Sequence, residues 1–186
     1  AKSTDGGSNW TATRLDGYDN GRAGGSSLAI DSDDNIHVVW KGLDSTSTTV
    51  DQVWYRKYDE ADGEWKDQVN ISNATVSVDG GVCIIVDDDD YVHIFWGEDR
   101  YLHHKIYTTS WGSKLTIADG GLAGRAQRNV TAAVDSNGNI HLAWNGTHNG
   151  STAVSEIRYM KRTGTSWGTI VNMREGDGEN KPTIAI

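Results

Sequence analysis

Apolar residues along this chain alternate with polar ones rather than recurring every three or four positions. In Ile36-His37-Val38-Val39-Trp40, Ile36, Val38 and Trp40 fall on one face of an extended strand, while His37 and Val39 fall on the other. Val92 to Trp96 repeats this arrangement, with His93 and Phe95 opposite. Apolar residues on both faces imply a sheet covered on both sides. No segment has helical periodicity, so the expected class is all-β.

The alternation is itself repeated. Leu28 to Trp40, Ile84 to Trp96 and Ala132 to Trp144 align without gaps, each an apolar run, an Asp, a short polar turn, an apolar-His-apolar triplet and a closing Trp. Trp40, Trp96 and Trp144 form one series; Trp10, Trp65, Trp111 and Trp167 form a second with a similar period near 50 residues. Turns such as Asp135-Ser136-Asn137-Gly138-Asn139 close a hairpin between the first two strands of a unit. A third strand is expected over Val53 to Tyr58, Leu102 to Tyr107 and Ile157 to Lys161, and a fourth after each Trp of the second series. Four antiparallel strands per unit, with glycine between units, are the pattern of a β-propeller blade.

The expected organisation is one β-propeller array over residues 1–186. It divides into a partial blade 1–25, blades 26–78, 79–128 and 129–178, and the first strand of a next blade at 179–186. Propellers close with about four to eight blades. Three blades plus a terminal strand at each end are therefore expected to be part of a larger propeller or a subunit of an oligomeric one, with other copies or further sequence as partner. The chain opens at Ala1 with neither Met nor a charged-then-apolar leader, so processing or a longer polypeptide is expected.

Composition narrows the function. Seventeen basic against 26 acidic residues give a net charge of −9, which argues against nucleic acid, and no run is apolar enough for a membrane span. The one cysteine, Cys83, excludes an internal disulfide framework and a cysteine-based zinc site; within Gly81 to Val86 it reads as a small buried side chain. Six of the 12 asparagines open an Asn-x-Ser/Thr triplet: Asn9, Asn70, Asn73, Asn129, Asn145 and Asn149. This points to a secreted, N-glycosylated protein.

Ser3-Thr4-Asp5-Gly6-Gly7-Ser8-Asn9-Trp10 resembles the Asp-box, Ser-x-Asp-x-Gly-x-Thr-Trp, of sialidase-like propellers, with Asn9 in place of Thr. Later copies, around Trp65, Trp111 and Trp167, keep little beyond the Trp. The resemblance implies a sialidase-like propeller fold and is indifferent to activity, because the box is structural in that family. Sialidase chemistry would require three Arg, a Tyr with a Glu partner and an Asp acid/base spread over six blades. No Arg-Ile-Pro occurs here, and adjacent Glu98 and Asp99 would point apart on a strand. No catalytic residue is assigned.

His37, His93 and His141 hold the same position in each blade and are expected to pack the blades rather than converge on a metal. The aspartate turns at Asp31, Asp87 and Asp135 resemble the front half of a calcium loop but lack the closing Glu, so side chains capping their own turns are expected and no cofactor is assigned. Loops after the second strand and between blades are the expected recognition elements. The candidate ligand contacts are Arg22, Arg125 and Arg128 between blades, Asp99 and Arg100 in a short hairpin, and Trp54, the one Trp outside both series. Arg in glycine-rich loops would offer positive spots to carboxylate or sulfate groups. The expected function is a secreted, non-catalytic, glycan-binding module. A fragment of a glycoside hydrolase or polysaccharide lyase, and a structural filament protein assembled by strand pairing, are the alternatives.

Overall fold

The computed structural model describes residues 1–16, 23–43, 49–120, 127–147, 156–175 and 181–186, and within them every regular element is a strand. Three antiparallel sheets follow one another along the chain. The first contains β1 (Ala23–Ile30), β2 (Ile36–Gly42), β3 (Gln52–Asp59), β4 (Glu64–Trp65) and β5 (Val69–Asn70). The second contains β6 (Val78–Val86), β7 (Val92–Glu98), β8 (Tyr101–Tyr107) and β9 (Leu115–Asp119). The third contains β10 (Arg128–Val134), β11 (Ile140–Gly146), β12 (Glu156–Thr163), β13 (Ser166–Trp167) and β14 (Val171–Glu175). Each is a meander of three long strands with its fourth-strand segments on the outer edge of the third, the topology of a propeller blade.

The fourth strand of each blade is broken in the same way. Trp65 pairs with Tyr58, Trp111 with Tyr107 and Trp167 with Arg162, before the chain leaves and rejoins the third strand as β5, β9 or β14. The innermost strands carry a second shared irregularity, a register shift at Gly24/Ser27, Asp79/Val82 and Arg128/Thr131. Gly80, at φ 67°, sits inside one of these shifts, and a Cβ there would lie 2.8 Å from the Asn129 nitrogen of the next blade. Only glycine permits so close an approach of the two inner strands.

The core lies between sheets. Val39, Val53, Tyr55 and Ile71 of the first blade pack against Val82, Ile84, Val92, Ile94 and Trp96 of the second. The other face of the second blade, with Cys83, Phe95, Leu102 and Ala118, packs against Val130, Ile140, Leu142, Trp144 and Met160. This is why both strand faces are apolar: burying each Ile, Leu or Val is worth about 1.5–3 kcal/mol, and a blade has two neighbours to bury against. Among the Trp residues the first series is fully buried, but the second is not. Trp111 and Trp167 are half-buried wedges, edge-on to Tyr55 and to Phe95 and His104 of the preceding blade, whereas Trp10 is exposed.

The terminal strand motifs have no ladder to join. Residues 1–16 form one isolated bridge, Lys2 with Thr11, and lie against the first blade through Lys2–Glu60 and Arg56 to the Leu15 carbonyl. Residues 181–186 carry no strand assignment. The Asp-box-like turn is nevertheless closed internally. Asp5 accepts the Asn9 backbone and side-chain N–H groups, Ser3 accepts Gly7 N–H, and the Trp10 indole donates to the Gly7 carbonyl. These bonds hold the exposed Asp5 carboxyl down at about 2, the Asn9 backbone N–H foremost.

Candidate functional site at the hairpin end of the second blade

At one end of the blades lie the aspartate turns. Each begins with a carboxylate whose Oδ1 accepts two backbone N–H groups of its own loop: Asp33 and Asn35 on Asp31, Asp89 and Tyr91 on Asp87, Asn137 and Asn139 on Asp135. Its Oδ2 accepts from the Nε2 of the blade's histidine, at 2.9 Å for His37 and His93 and 3.0 Å for His141. The opposite ring nitrogen, Nδ1, meets the Tyr55 hydroxyl, the Tyr159 hydroxyl or, in the second blade, His104 Nε2 at 2.9 Å. Burial lowers the affinity of His37 and His93 for a second proton, against the pull of their aspartates. For Asp31, burial pushes upward, but bonds from His37 and Asn35 outweigh it. The histidines thus pin turn to third strand within each blade and do not converge. No group of three or more metal-ligating side chains occurs among the described residues.

The opposite end, where β7 turns into β8, is different in each blade and brings charged groups together in the second. The position facing the closing Trp on the third strand is Trp54 in the first blade, His103 in the second and Arg158 in the third. Trp54 is 8% exposed and its indole donates to the Gly42 carbonyl, so it is a packing residue and not the stacking platform expected from its sequence position. Arg158 is also buried, donating to the Thr147 carbonyl and to Gln127 Oε1 over the Trp144 ring.

In the second blade a polar row crosses the sheet. On the opposite face Gly97 admits the third blade: a Cβ there would lie 1.6 Å from the Gln127 carbonyl oxygen, so the strand opening the third blade passes directly over β7. On that same face Asp79 of β6, paired with Gly97, is 3.7 Å from Arg128 of β10. Glu98, nearly buried, accepts from Lys114 at 3.1 and 3.2 Å and from the Trp96 indole at 3.2 Å, with His103 Nε2 4.0 Å away. His103 Nδ1 meets the Thr116 hydroxyl, and burial holds its ring neutral more strongly than Glu98 pulls it toward charge. The two-residue turn Asp99-Arg100 follows, Asp99 at φ 56°. Arg100 folds back over Tyr101, 4.9 Å from the ring centroid, donates to its hydroxyl at 2.6 Å and lies 3.4 Å from Asp119.

Two of the expected contacts, Asp99 and Arg100, therefore lie at this end of the second blade; Arg128 opens β10 of the third blade and meets Asp79 on the opposite face of the second sheet, and Arg22 and Arg125 lie outside the described residues. The expected unpaired positive spots are not what the two described arginines provide, since each stands beside a carboxylate. His103 and Lys114 are not singled out in the sequence, and Glu98 is weighed there with Asp99 for catalysis and not as a ligand contact. A signal existed: two positions after the closing Trp, Glu98 stands where the other two blades have Gly42 and Gly146. Among the sequons, Asn145 is 6% exposed inside β11, which corrects its reading as a glycan site, because the folded sheet leaves no room for a glycan on a buried amide. Asn9 and Asn73 are exposed, Asn70 and Asn129 are half-buried, and Asn149 lies outside the described residues.

The chain matches no protein-family model and no curated relative. Among solved structures it is similar to a protein of unknown function from Dyadobacter fermentans, with a TM-score of 0.57 and 12% identity over 80% of this chain and 54% of that one. It is also similar to an ulvan lyase of a polysaccharide lyase family, with a TM-score of 0.53 and 16% identity over 77% of this chain and 36% of that one. A fucose lectin from Kordia zhangzhouensis aligns at a TM-score of 0.48, 18% identity, over 77% of this chain and 96% of that one. What the first two share with this chain is the fold. The chain spans about half and about a third of their lengths. Among the described residues no helix is long and apolar enough to cross a membrane.

Proposed function

We propose that this chain is a secreted, non-catalytic propeller module that binds glycan at the hairpin end of its second blade. The observation that carries the reading is the row Glu98, Arg100, Tyr101, Lys114 and Asp119, in which charged hydrogen-bonding groups surround a half-buried tyrosine on a sheet. Sugars are met by this combination, an amphipathic ring beside fixed donors and acceptors. The ulvan lyase of like fold was solved with -[GlcA(1-4)Rha3S]- bound, which supports looking first among carbohydrates. The acid–base groups present serve each other: Glu98 is held by Lys114 and Trp96, and His103 is buried. That favours binding over cleavage. Sequons on exposed Asn9 and Asn73 support the secreted location.

Self-association, or completion by further blades, belongs to the same proposal. The Ile84 N–H donates to Ser27 Oγ across the first blade interface, and the Ala132 N–H donates to the Cys83 sulfur across the second. Leu28 occupies the same register position as Ile84 and Ala132, yet Leu28 is 62% exposed where Ile84 is 3% exposed. A further blade packed there would cover Leu28 and Ile30.

Screening on a glycan array tests the function. Binding is expected for the parent chain, and Tyr101→Ala should weaken it about tenfold or more, as removal of a central aromatic does. An array on which nothing is retained refutes the proposal. Release of an unsaturated uronate from ulvan, seen by ultraviolet absorbance, would establish the lyase alternative.

A further inference from the structure

Resting on that reading of the site, we infer that the sugars it takes are neutral, hydroxyl-rich ones and not uronic acids or sulfated sugars. Each described cation of the row faces a resident carboxylate: Lys114 is 3.1 Å from Glu98 and Arg100 is 3.4 Å from Asp119. A ligand carboxylate or sulfate that approached Arg100 would come equally close to Asp119, so the attraction it gained would be offset by repulsion at nearly the same distance. The net charge of −9 adds a repulsive field over the whole chain.

A hydroxyl group meets no such conflict, because it both donates and accepts. Adjacent hydroxyls of a pyranose can accept from a guanidinium N–H and donate to the neighbouring carboxylate at once, and an Arg–Asp pair held side by side presents that alternation. Asp119 has about half of its side-chain surface in solvent and Arg100 more than a quarter, so both halves of that pair are reachable, whereas in the other pair only Lys114 is, Glu98 being buried. The Tyr101 ring, beneath Arg100 and tilted against His103, supplies the apolar surface for the C–H face of the sugar. The second blade's end is thus matched to a ligand without charge.

Titration of the intact chain with methyl glycosides of mannose, galactose and glucose, and with methyl glucuronide and galactose 6-sulfate, at low and high NaCl tests this. At least one neutral glycoside should bind with an affinity that changes less than about twofold with salt, and both acidic sugars should bind about tenfold or more weakly than it. Asp119→Ala leaves Arg100 without its carboxylate on an exposed edge; it should weaken the neutral sugar and bring methyl glucuronide binding up in a salt-sensitive manner. Asp119→Asn, which keeps the shape and an acceptor oxygen, should do the same to a smaller degree. Tighter, salt-dependent binding of the acidic sugars by the parent chain overturns the inference while leaving glycan binding in place. Binding of none of the five, with no glycan retained on the array, overturns glycan binding and this inference with it.

Discussion

Replacing His104 by Tyr should make the protein resistant to mild acid. His93 is fully buried and His104 is 5% exposed; their rings stack 5.1 Å apart and 3° from parallel, sharing one hydrogen bond between Nδ1 and Nε2. Around them stand Asp87 on His93 Nε2, the Phe95 ring, Trp167 edge-on from the third blade, and the positive charge of Arg162. Burial, then His93, then Arg162 push His104 down to about 3. The unfolded chain takes up this proton near pH 6.5 and the folded chain does not, so stability is intact above 6.5 and falls as the pH drops from there toward 3. Each pH unit costs on the order of 1 kcal/mol per excluded proton, so the loss by pH 4.5 is roughly 2–3 kcal/mol. Tyr occupies the equivalent position in the other two blades, where its hydroxyl serves His37 and His141. For a chain of this size the difference corresponds to about 5–10 °C in melting temperature. Thermal melts of parent and variant between pH 7 and 4.5 should therefore diverge steadily in favour of His104→Tyr. Parallel curves, with any offset independent of pH, would refute the assignment of acid lability to this pair.

Gly97→Ala should destabilise the protein by about 1–3 kcal/mol, because the new Cβ collides with the Gln127 carbonyl and must push the strand opening the third blade off β7; urea denaturation measures it, and an unchanged midpoint contradicts the close crossing. Expressed through a glycosylating secretory pathway, the chain should carry glycan at Asn73 and none at Asn145. Peptide mass mapping decides this, and an occupied Asn145 would mean that β11 is not buried.

The blade repeat was legible in the sequence because it is written in a local code. Alternation fixes which face a residue takes, and the Asp-to-Trp segment gives the first turn, the first two strands and the repeat histidine together. The period of the two Trp series then sets the number of blades. Some of the finer chemistry could also have been read: Tyr55 and Tyr159 lie 18 residues beyond His37 and His141, a spacing that marks them as partners once the blades are aligned. In the second blade the hairpin is short and the partner is His104, 11 residues on, so the spacing breaks and the substitution is hidden.

What the sequence left open depended on distances between strands that are not neighbours in the chain. Trp54 stood out as the unpatterned tryptophan, yet it faces Trp40 across the sheet and is buried. Arg100 and Arg128 looked like free positive charge, and only the fold sets Asp119 and Asp79 beside them. Glu98 and Lys114, 16 residues apart, meet because β8 reverses the chain between them. Strand periodicity determines which side of a sheet a residue faces, but not what stands across from it. Burial, charge pairing and the size of a gap arise from packing one sheet on the next, and so belong to the tertiary structure alone.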